Sequence, residues 1–302
     1  MSEWAGMHGR CREEVSMREY DEATLKRLQS VELNILKDFI YLCRKYNLTW
    51  FSFAGTAIGA LRHKGFIPWD DDIDVCLPRK DYETFLRVAD EEFGEKYYIM
   101  NAEVNEHYPL TTTRWMVKGT KFREEALKDI DCPLGIFLDI YPFDYVSDDE
   151  KEYRRQAFTA WFWSKILILR CVPQPVIAGS GWKVSLAKAV CRFGHGALRL
   201  FGVSRRRLYE RCKKAMMRYD GEKTGRLSYL CDTNRFWNTI RVEDLYPLRQ
   251  EPFEDVMVNF PCHIEKMLEQ MWPDFMTLPP VEKRKNHYPY ELEFGDSLGQ
   301  NP

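Results

Sequence analysis

The chain has 302 residues, of which 45% are hydrophobic and 30% charged, the balance of a folded globular protein rather than a disordered one. That length is enough for one large domain or two moderate ones. The formal net charge of −2 excludes a broadly basic surface, so sequence-independent nucleic-acid binding is not expected.

The N-terminal residues and the cysteines favour a reducing compartment. The first residues carry charges where a secretory signal peptide needs an apolar run. No stretch reaches the roughly 18 to 20 uncharged apolar residues of a membrane span. The nine cysteines are scattered and never form a CxxC pair, which argues against a disulfide framework and a zinc knuckle. We therefore expect free thiols and a cytoplasmic protein.

The first half of the chain predicts alternating helices and strands. Apolar residues at three- and four-residue spacings between Tyr20 and Tyr46 predict a long amphipathic helix. "LTWFSFAG" predicts a short buried strand that runs into Gly55 and Thr56, "AIGALRHKG" a short helix, and "DIDVCL" a strand that Pro78 closes. A helix from "KDYETFLRVADEEF" and strands from "YYIMNAE", "LTTTRWMVKG" and "GIFLDIYPF" follow. This order indicates an α+β (mixed α/β) fold with a mixed sheet flanked by helices.

The second half begins with a helical region. "EKEYRRQAFTAWFWSKILILRCV", "WKVSLAKAVCRFGHGALRLFG" and "SRRRLYERCKKAMMRY" predict three helices. "FEDVMVNFP" then predicts a return to sheet, "HIEKMLEQMW" a helix, and the remaining residues an irregular tail. We expect an N-terminal tail (1–19), an α+β core (20–147), a helical subdomain (148–232) and C-terminal strands, helix and tail that pack back on the core (233–302).

The stretch "GFIPWDDDIDV" places four aspartates within five positions: Asp70, Asp71, Asp72 and Asp74. On a strand, side chains two residues apart share a face, so Asp72 and Asp74 would project together. Two convergent carboxylates disfavour each other's ionisation unless a cation lies between them, and Mg²⁺ accepts carboxylates together with phosphate oxygens. Asp139 in "FLDIY" would complete the site from a neighbouring strand. Asp70 and Asp71 would orient the site or cap the loop.

An EF-hand-like calcium loop and a solvated acidic turn are the alternatives for this stretch. The EF-hand pattern needs Gly at its sixth position and Glu at its twelfth, where this chain has Val75 and Asp81. A solvated turn does not explain the apolar residues on both sides of the aspartates. Metal-assisted chemistry is therefore the preferred interpretation.

Five further residues near this stretch are candidates for binding a phosphorylated substrate. Gly55 and Thr56, between a strand and a helix, would present backbone N–H groups and a hydroxyl to phosphate. Arg62 and Lys64 would neutralise a diphosphate, or would form an exposed pair. Trp69 would stack on a base or face a quaternary ammonium group, or would pack in the core.

Candidates farther along the chain have equally plain structural alternatives. Arg114 and Lys118, on one face of a predicted strand, would line the substrate site unless that strand is an ordinary one. His287 and Lys283 would reach back to the site, or would belong to an irregular lid. Arg79 would pair with carboxylates or phosphate, or would form a structural salt bridge.

The stretch "AGTAIGALRHKGFIPWDDDIDVCLPRKDY" resembles the signature of the LicD family, bacterial phosphorylcholine transferases related to the fukutin group. The resemblance extends through "KGTKFREE", "GIFLDIYPFD", "FEDVMVNFP" and "PPVEKRKNHYP", and the order Gly-Thr, Asp-x-Asp, isolated Asp is also that of the nucleotidyltransferase superfamily. It implies a nucleotidyltransferase-like core in which Asp72, Asp74 and Asp139 are catalytic and hold two Mg²⁺ ions, with Mn²⁺ as a substitute, and Gly55-Thr56 forms the phosphate loop.

The resemblance also implies a reaction. The family transfers phosphorylcholine or a similar phospho-alcohol from a CDP-linked donor such as CDP-choline to a hydroxyl of a cell-surface glycan, and releases CMP. The acceptor would be a lipopolysaccharide or teichoic-acid precursor. Two metal ions can clamp both oxygens of an in-line displacement at phosphorus, and Asp139 would accept the hydroxyl proton. Transfer of a nucleotide with pyrophosphate release, or an inactive metal- or glycan-binding homologue, are the alternatives.

The predicted helices after Asp148 are both apolar and basic. "WFWSKILILR" is followed by these cationic residues: Lys183, Lys188, Arg192, Arg199, Arg205, Arg206 and Arg207. An interfacial helix that approaches a lipid-linked glycan at the inner face of a membrane has this composition. A helical subdomain with a solvated basic rim has the same composition and is the favoured interpretation.

Overall fold

The computed structural model describes residues 20–173, 181–284 and 286–295, and the predicted N-terminal tail lies outside them. The strands in chain order are β1 (Phe51–Ser52), β2 (Asp74–Pro78), β3 (Tyr97–Met100), β4 (Thr113–Val117), β5 (Lys121–Glu124), β6 (Phe137–Val146), β7 (Arg226–Ser228), β8 (Thr239–Arg241), β9 (Arg249–Phe253), β10 (Val256–Phe260) and β11 (Pro289–Glu293). The α-helices are α1 (Glu22–Lys45), α2 (Ala54–His63), α3 (Arg79–Phe93), α4 (Glu150–Cys171), α5 (Trp182–Leu200), α6 (Arg205–Met216), α7 (Val242–Leu245) and α8 (Ile264–Met271).

A seven-stranded mixed sheet carries the fold. Its main path runs β1-β2-β6-β4-β3, and β7 and β8 extend it from β6. Strands β2 and β6 are parallel, and the other neighbouring pairs in this sheet are antiparallel. The long strand β6 pairs with β2 and β4 over its first part and with β7 over its last three residues. The predicted α+β class is confirmed.

Helix α1 covers this sheet as the sequence predicts. Asp21 caps its N-terminus by accepting a hydrogen bond from the Thr24 N–H at 2.9 Å, and basic residues lie in its last turn, where they complement the helix dipole. Its apolar stripe includes Phe39, which is fully buried and packs edge-on against Trp50 at a ring distance of 5.2 Å. The ring of Phe85, on α3, also packs against Phe39, at a centroid distance of 5.1 Å. The periodic pattern thus becomes the contact between helix and core.

A buried ion pair joins the start of α3 to the end of β6. The Arg79 guanidinium donates to both carboxylate oxygens of Asp144, each at 2.7 Å, and both side chains are almost fully buried. Of the two roles considered for Arg79, the structure shows the structural salt bridge. Bidentate geometry compensates part of the cost of burying both charges.

The C-terminal residues contain more regular structure than the sequence predicts. Strands β9 and β10 form an antiparallel hairpin, which confirms the predicted return to sheet. The prediction of an irregular tail is wrong at β11, which pairs antiparallel with β5 and places Leu292 opposite the fully buried Phe122. A five-residue strand that begins with proline and alternates Tyr, Glu and Leu gives too short a pattern to recognise.

The helical region consists of α4, α5 and α6. Helices α4 and α6 pack together around the buried Leu167 and Leu208. Strand β7 falls inside the range expected for the helical subdomain and pairs with β6 of the core sheet. Helix α5 differs from its neighbours, because within the described chain none of its nineteen residues is buried.

Two global features concern thiols and helix length. The eight cysteines that the structure describes are all free, and Cys11 lies outside the described residues. Across the same residues, every helix is too short or too polar to cross a bilayer.

Candidate active site

Two aspartates lie side by side where β2 and β6 begin. In the parallel register of the two strands, Asp74 is directly opposite Asp139. The Asp139 N–H donates to the carbonyl oxygen of Ile73 at 3.0 Å, so the ladder fixes their relative position. Both aspartates are buried, and the residues that follow them on the strands, Val75 and Ile140, are fully buried. The isolated aspartate of the later strand therefore meets the acidic stretch, as the sequence predicts.

The strand argument for Asp72 is wrong in one respect. Strand β2 begins at Asp74, so Asp72 lies in the segment before it and the alternation of a strand does not apply to the pair. The reason is that the register of the β2–β6 ladder starts at Asp74. Asp72 nevertheless remains close, since after burial its charge contributes most to raising the pKa of Asp74. Asp72 is therefore close to Asp74, as predicted, but not because the two lie on one strand.

Asp70 and Asp71 hold the acidic segment in place. A Cβ at position 55 would lie 2.6 Å from Oδ2 of Asp70, so that carboxylate contacts the chain where only glycine leaves room. Asp71 is fully buried and accepts hydrogen bonds from the Tyr20 hydroxyl at 2.8 Å and from the His287 N–H at 2.7 Å. Asp71 therefore ties two distant segments of the chain to the site.

His287 lies at the mouth of this cluster. Its Nδ1 is 3.3 Å from an oxygen of Asp71 and 3.2 Å from Oδ2 of Asp72. The Asp72 carboxylate raises the pKa of His287 well above its ordinary value. The tail thus reaches back to the acidic residues, while Lys283 is exposed. In the described chain, Asp71, Asp72 and His287 form a group whose possible ligand atoms all lie within 4.8 Å of one another, whereas Asp72, Asp74 and Asp139 do not.

The sheet places one cationic side chain, that of Arg114, next to Asp139. The antiparallel register of β4 and β6 places it opposite Asp139, and its Nε lies 3.6 Å from Oδ2 of that carboxylate. Its Nη1 is 2.8 Å from Glu124, and its guanidinium stacks on Phe137 at 3.8 Å. Lys118 is not brought to this place, because β4 ends at Val117 and Lys118 lies in the exposed turn beyond it.

The other predicted binding residues are partly occupied by the protein itself. The Thr56 hydroxyl oxygen accepts the Asp74 N–H at 2.8 Å, so this contact joins α2 to β2. Arg62 donates to the carbonyl oxygen of Phe275 at 2.7 Å. Lys64 is exposed, with its Nζ 3.7 Å from Glu251.

Trp69 is neither a fully buried core residue nor a free ring. It is partly buried, and the guanidinium of Arg284 lies 4.2 Å from the ring centroid. The charge of Arg284 also lowers the pKa of Arg62, although burial contributes more. A cluster of two arginines and an indole therefore lies beside the acidic residues, and Arg284 was not identified from the sequence.

Sequence reasoning also missed two acidic residues, Glu32 and Glu124. Glu32 lies on α1 and is fully buried, and within the described chain neither of its carboxylate oxygens has a hydrogen-bond partner. Burial and the charges of Asp72, Asp71 and Asp70 raise its pKa well above the ordinary value. The signal was present, since Glu32 interrupts the apolar stripe of α1. Glu124 left no comparable signal because β5 is short and amphipathic.

The electrostatics of the cluster favour the binding of a cation. Burial and neighbouring carboxylates raise the pKa values of Asp70, Asp72 and Asp74, and burial raises that of Asp139 to about 6. Among the described residues, Oδ1 of Asp74 and Oδ1 of Asp139 are buried and accept no hydrogen bond. Buried carboxylate oxygens without partners are costly, and hard divalent cations bind such oxygens. By their chemistry these oxygens suit Mg²⁺ or Mn²⁺, although the ligand atoms of Asp72, Asp74 and Asp139 in the described chain do not all lie within 4.8 Å of one another.

The class of protein follows from these elements: an α+β domain whose sheet brings aspartates to the adjoining ends of two parallel strands. Residues 47–165 match the family described as LicD/FKTN/FKRP, nucleotidyltransferase domain. This matched segment, which contains Asp72, Asp74, Arg114 and Asp139, is similar to the LicD family. The resemblance seen in the sequence is confirmed.

Three curated relatives match parts of the chain. The lipopolysaccharide cholinephosphotransferase LicD of Haemophilus influenzae is 40% identical over 128 residues, which is 42% of this chain and 47% of that protein. An uncharacterized protein of Rickettsia typhi is 26% identical over 118 residues (38% of this chain, 35% of the relative). One of Rickettsia prowazekii is 35% identical over 69 residues (23% and 26%). The matches thus cover less than half of each relative's length.

Proposed function

We propose that the chain is a Mg²⁺-dependent transferase that moves phosphorylcholine, or a similar phospho-alcohol, from a CDP-linked donor to a hydroxyl of a cell-surface glycan precursor, with release of CMP. The observation that carries the proposal is the pair Asp74 and Asp139, which are in register across β2 and β6. Each has a buried oxygen that accepts no hydrogen bond from the described residues. The relative from Haemophilus influenzae, named a lipopolysaccharide cholinephosphotransferase, supports the substrate class.

Asp74 and Asp139, with Asp72 beside them, are the residues that would hold the metal ions. Bound there, two divalent ions would supply positive charge to the phosphoryl oxygens and to the leaving diphosphate. The same charge would relieve the repulsion that raises the pKa values of these carboxylates. Phosphoryl transfer needs little beyond positioning and charge stabilisation, so this donor set suits the reaction.

The chain's own residues would position the reacting groups. Arg114, neutralised in part by Glu124, fixes the carboxylate of Asp139 from one side. Oδ1 of Asp139 has no hydrogen-bond donor in the described chain, so its lone pairs can accept the proton of the acceptor hydroxyl. The Thr56 hydroxyl holds the backbone of Asp74, and this contact keeps the start of β2 rigid.

We propose that the choline end of the donor binds at Trp69. The ring of Trp69 already receives a cation, the guanidinium of Arg284 at 4.2 Å. Quaternary ammonium groups bind aromatic faces for the same electrostatic reason. In this proposal the trimethylammonium group takes a place at this ring, and ethanolamine, glycerol or ribitol donors, which lack that group, bind less tightly.

The test combines ligand binding with product analysis. Thermal unfolding is measured with CDP-choline, CDP-ethanolamine, CDP-glycerol and CDP-ribitol, each with Mg²⁺ or with a chelator, since a ligand of the native state raises Tm. Turnover is then followed with lipopolysaccharide or teichoic acid as acceptor. CMP formed from CDP-choline supports the proposal. Pyrophosphate formed from CTP or ATP would instead show nucleotide transfer, and no stabilisation by any CDP-alcohol with Mg²⁺ would overturn the donor class.

A further inference from the structure

Helix α5 carries an exposed apolar stripe. Trp182, Leu186, Val190, Phe193 and Leu200 recur at three-, four- and seven-residue spacings, which places them along one side of a helix. Each is exposed, with Trp182 at 73%, Phe193 at 79% and Leu200 at 82% of full exposure. Single exposed apolar residues are ordinary on protein surfaces, but a continuous stripe along a whole helix marks an interaction surface.

The contacts of α5 with α4 set the direction of this stripe. Nδ1 of His195 lies 2.9 Å from the carbonyl oxygen of Leu169, and a Cβ at Gly194 would lie 3.1 Å from a methyl carbon of the same leucine. At about 100° per residue, Leu186 and Phe193 lie roughly half a turn away from His195. The stripe therefore faces away from α4.

The charges of α5 complement one kind of surface. The helix has no acidic residue, and four cationic side chains lie along it: Lys183, Lys188, Arg192 and Arg199. At the same angular spacing, Arg192 and Arg199 lie along one margin of the stripe and Lys183 along the other. Long cationic side chains beside an apolar stripe can extend to lipid headgroups while the stripe enters the acyl region.

We propose that α5 is an interfacial helix by which the protein docks on an anionic lipid bilayer. A neutral bilayer or an apolar protein groove would cover the stripe but leave the positive charges on both of its margins without a partner. An anionic bilayer satisfies both, since polybasic segments are attracted to its negative surface potential. This inference is independent of the reaction proposed above, because it uses no residue of the acidic cluster.

The experiment is co-sedimentation of the full chain with vesicles of phosphatidylcholine, with and without phosphatidylglycerol, at low and high salt. One variant changes the stripe, Leu186→Glu with Phe193→Glu. A second removes charge: Lys188→Gln, Arg192→Gln and Arg199→Gln. The matched control is Val104→Glu, because Val104 is an apolar residue that is 65% exposed and lies outside α5. Because all these positions are exposed, circular dichroism should show unchanged folding.

We expect the wild type and the control to sediment with anionic vesicles at low salt, and high salt to weaken this binding. Each α5 variant should bind roughly tenfold less tightly or worse. Absence of wild-type binding to anionic vesicles at low salt would overturn the proposal, and so would equal binding by the stripe variant. A dimer that the stripe variant dissociates, without vesicle binding, would assign the stripe to a second copy. CDP-alcohol binding is measured without vesicles, so the two proposals fail separately.

Discussion

The acidic cluster and α5 break opposite rules of protein folding. In the core, carboxylates such as Glu32, Asp74 and Asp139 are buried, and in the described chain some of their oxygens have no hydrogen-bond partner. On α5, large apolar side chains such as Phe193 are exposed, and no acidic residue balances the cations. Both departures cost stability in the isolated chain.

The difference teaches where to look for each ligand. Buried charge without compensation would be relieved by a small hard cation that can enter the fold, and the register of β2 and β6 positions two of the carboxylates. Exposed apolar surface is relieved by something large that remains outside. Changes in the first region should therefore alter stability and chemistry strongly, whereas changes in the second should alter neither until a surface is supplied.

The largest effect is expected at the paired aspartates. Asp74→Asn or Asp139→Asn should reduce turnover by about a thousandfold, because each removes a charge that would hold the metal ions. Initial rates with CDP-choline and Mg²⁺ measure this. Asp255→Asn, at an exposed ion pair with Lys37, is the control and should keep full activity. Full turnover by either active-site variant would end the metal hypothesis.

Next comes the buried ion pair. Asp144→Ala leaves the Arg79 guanidinium buried without its partner, so the free energy of unfolding should fall by about 3–5 kcal/mol. Urea denaturation measures the loss, and Asp255→Ala should show little change. A loss no larger than that of the control would mean that Arg79 finds water or another acceptor.

A methyl group at position 55 should have an intermediate effect. In Gly55→Ala the new Cβ would lie 2.6 Å from Oδ2 of Asp70, so that carboxylate must move. Overpacking of this kind costs about 1–3 kcal/mol. Gly196→Ala is the matched control in α5, because a Cβ there would meet no atom of the described residues within 4 Å. Equal stability of the two variants would show that the acidic segment is not tightly held.

A smaller effect is expected from pH in the presence of a chelator. Burial raises the pKa of Asp139 to about 6, above its unfolded value, so the native state binds more protons than the unfolded state between these values. Stability should therefore fall by about 1 kcal/mol as the pH rises from about 5 to 7.5. Excess Mg²⁺ should reverse this trend, since it replaces the protons. Thermal melts across this range provide the measurement, and a flat profile in chelator would contradict the prediction.

The smallest effect is expected on α5. Phe193→Glu should change the free energy of unfolding by less than about 0.5 kcal/mol, because exposed positions contribute little to folding. A matched substitution in the core, Phe143→Glu, should prevent folding. If Phe193→Glu lowered Tm strongly, α5 would be packed in solution, and the contrast between the two regions would disappear.

The sequence predicted the features that depend on residues close together in the chain. Such features are the amphipathic helix α1, the strand that ends at Pro78 and the strand that carries Asp139. Each is determined by the pattern of a few neighbouring residues, and the structure contains all three. The mutual position of Asp74 and Asp139 was accessible because parallel strands with buried flanks lie side by side.

What escaped prediction depends on pairing across long separations. Glu124 reaches the site through the register of β5 and the contact with Arg114, and Arg284 through its stacking on Trp69. Glu32 was visible as a charge in an apolar stripe, but only the fold shows that this stripe faces the aspartates. Asp72 shows the limit of periodicity, since a strand pattern does not say where the ladder begins.

Asp71 joins Tyr20 to His287, residues that lie outside the family segment 47–165 on either side of it. That segment alone would also lose α1, and with it Glu32 and the buried side chain of Phe39. The unit of sequence similarity is thus smaller than the unit that folds. A fragment cut to the boundaries of the family segment should be unstable, and the acidic residues would then be exposed to solvent before any substrate arrives.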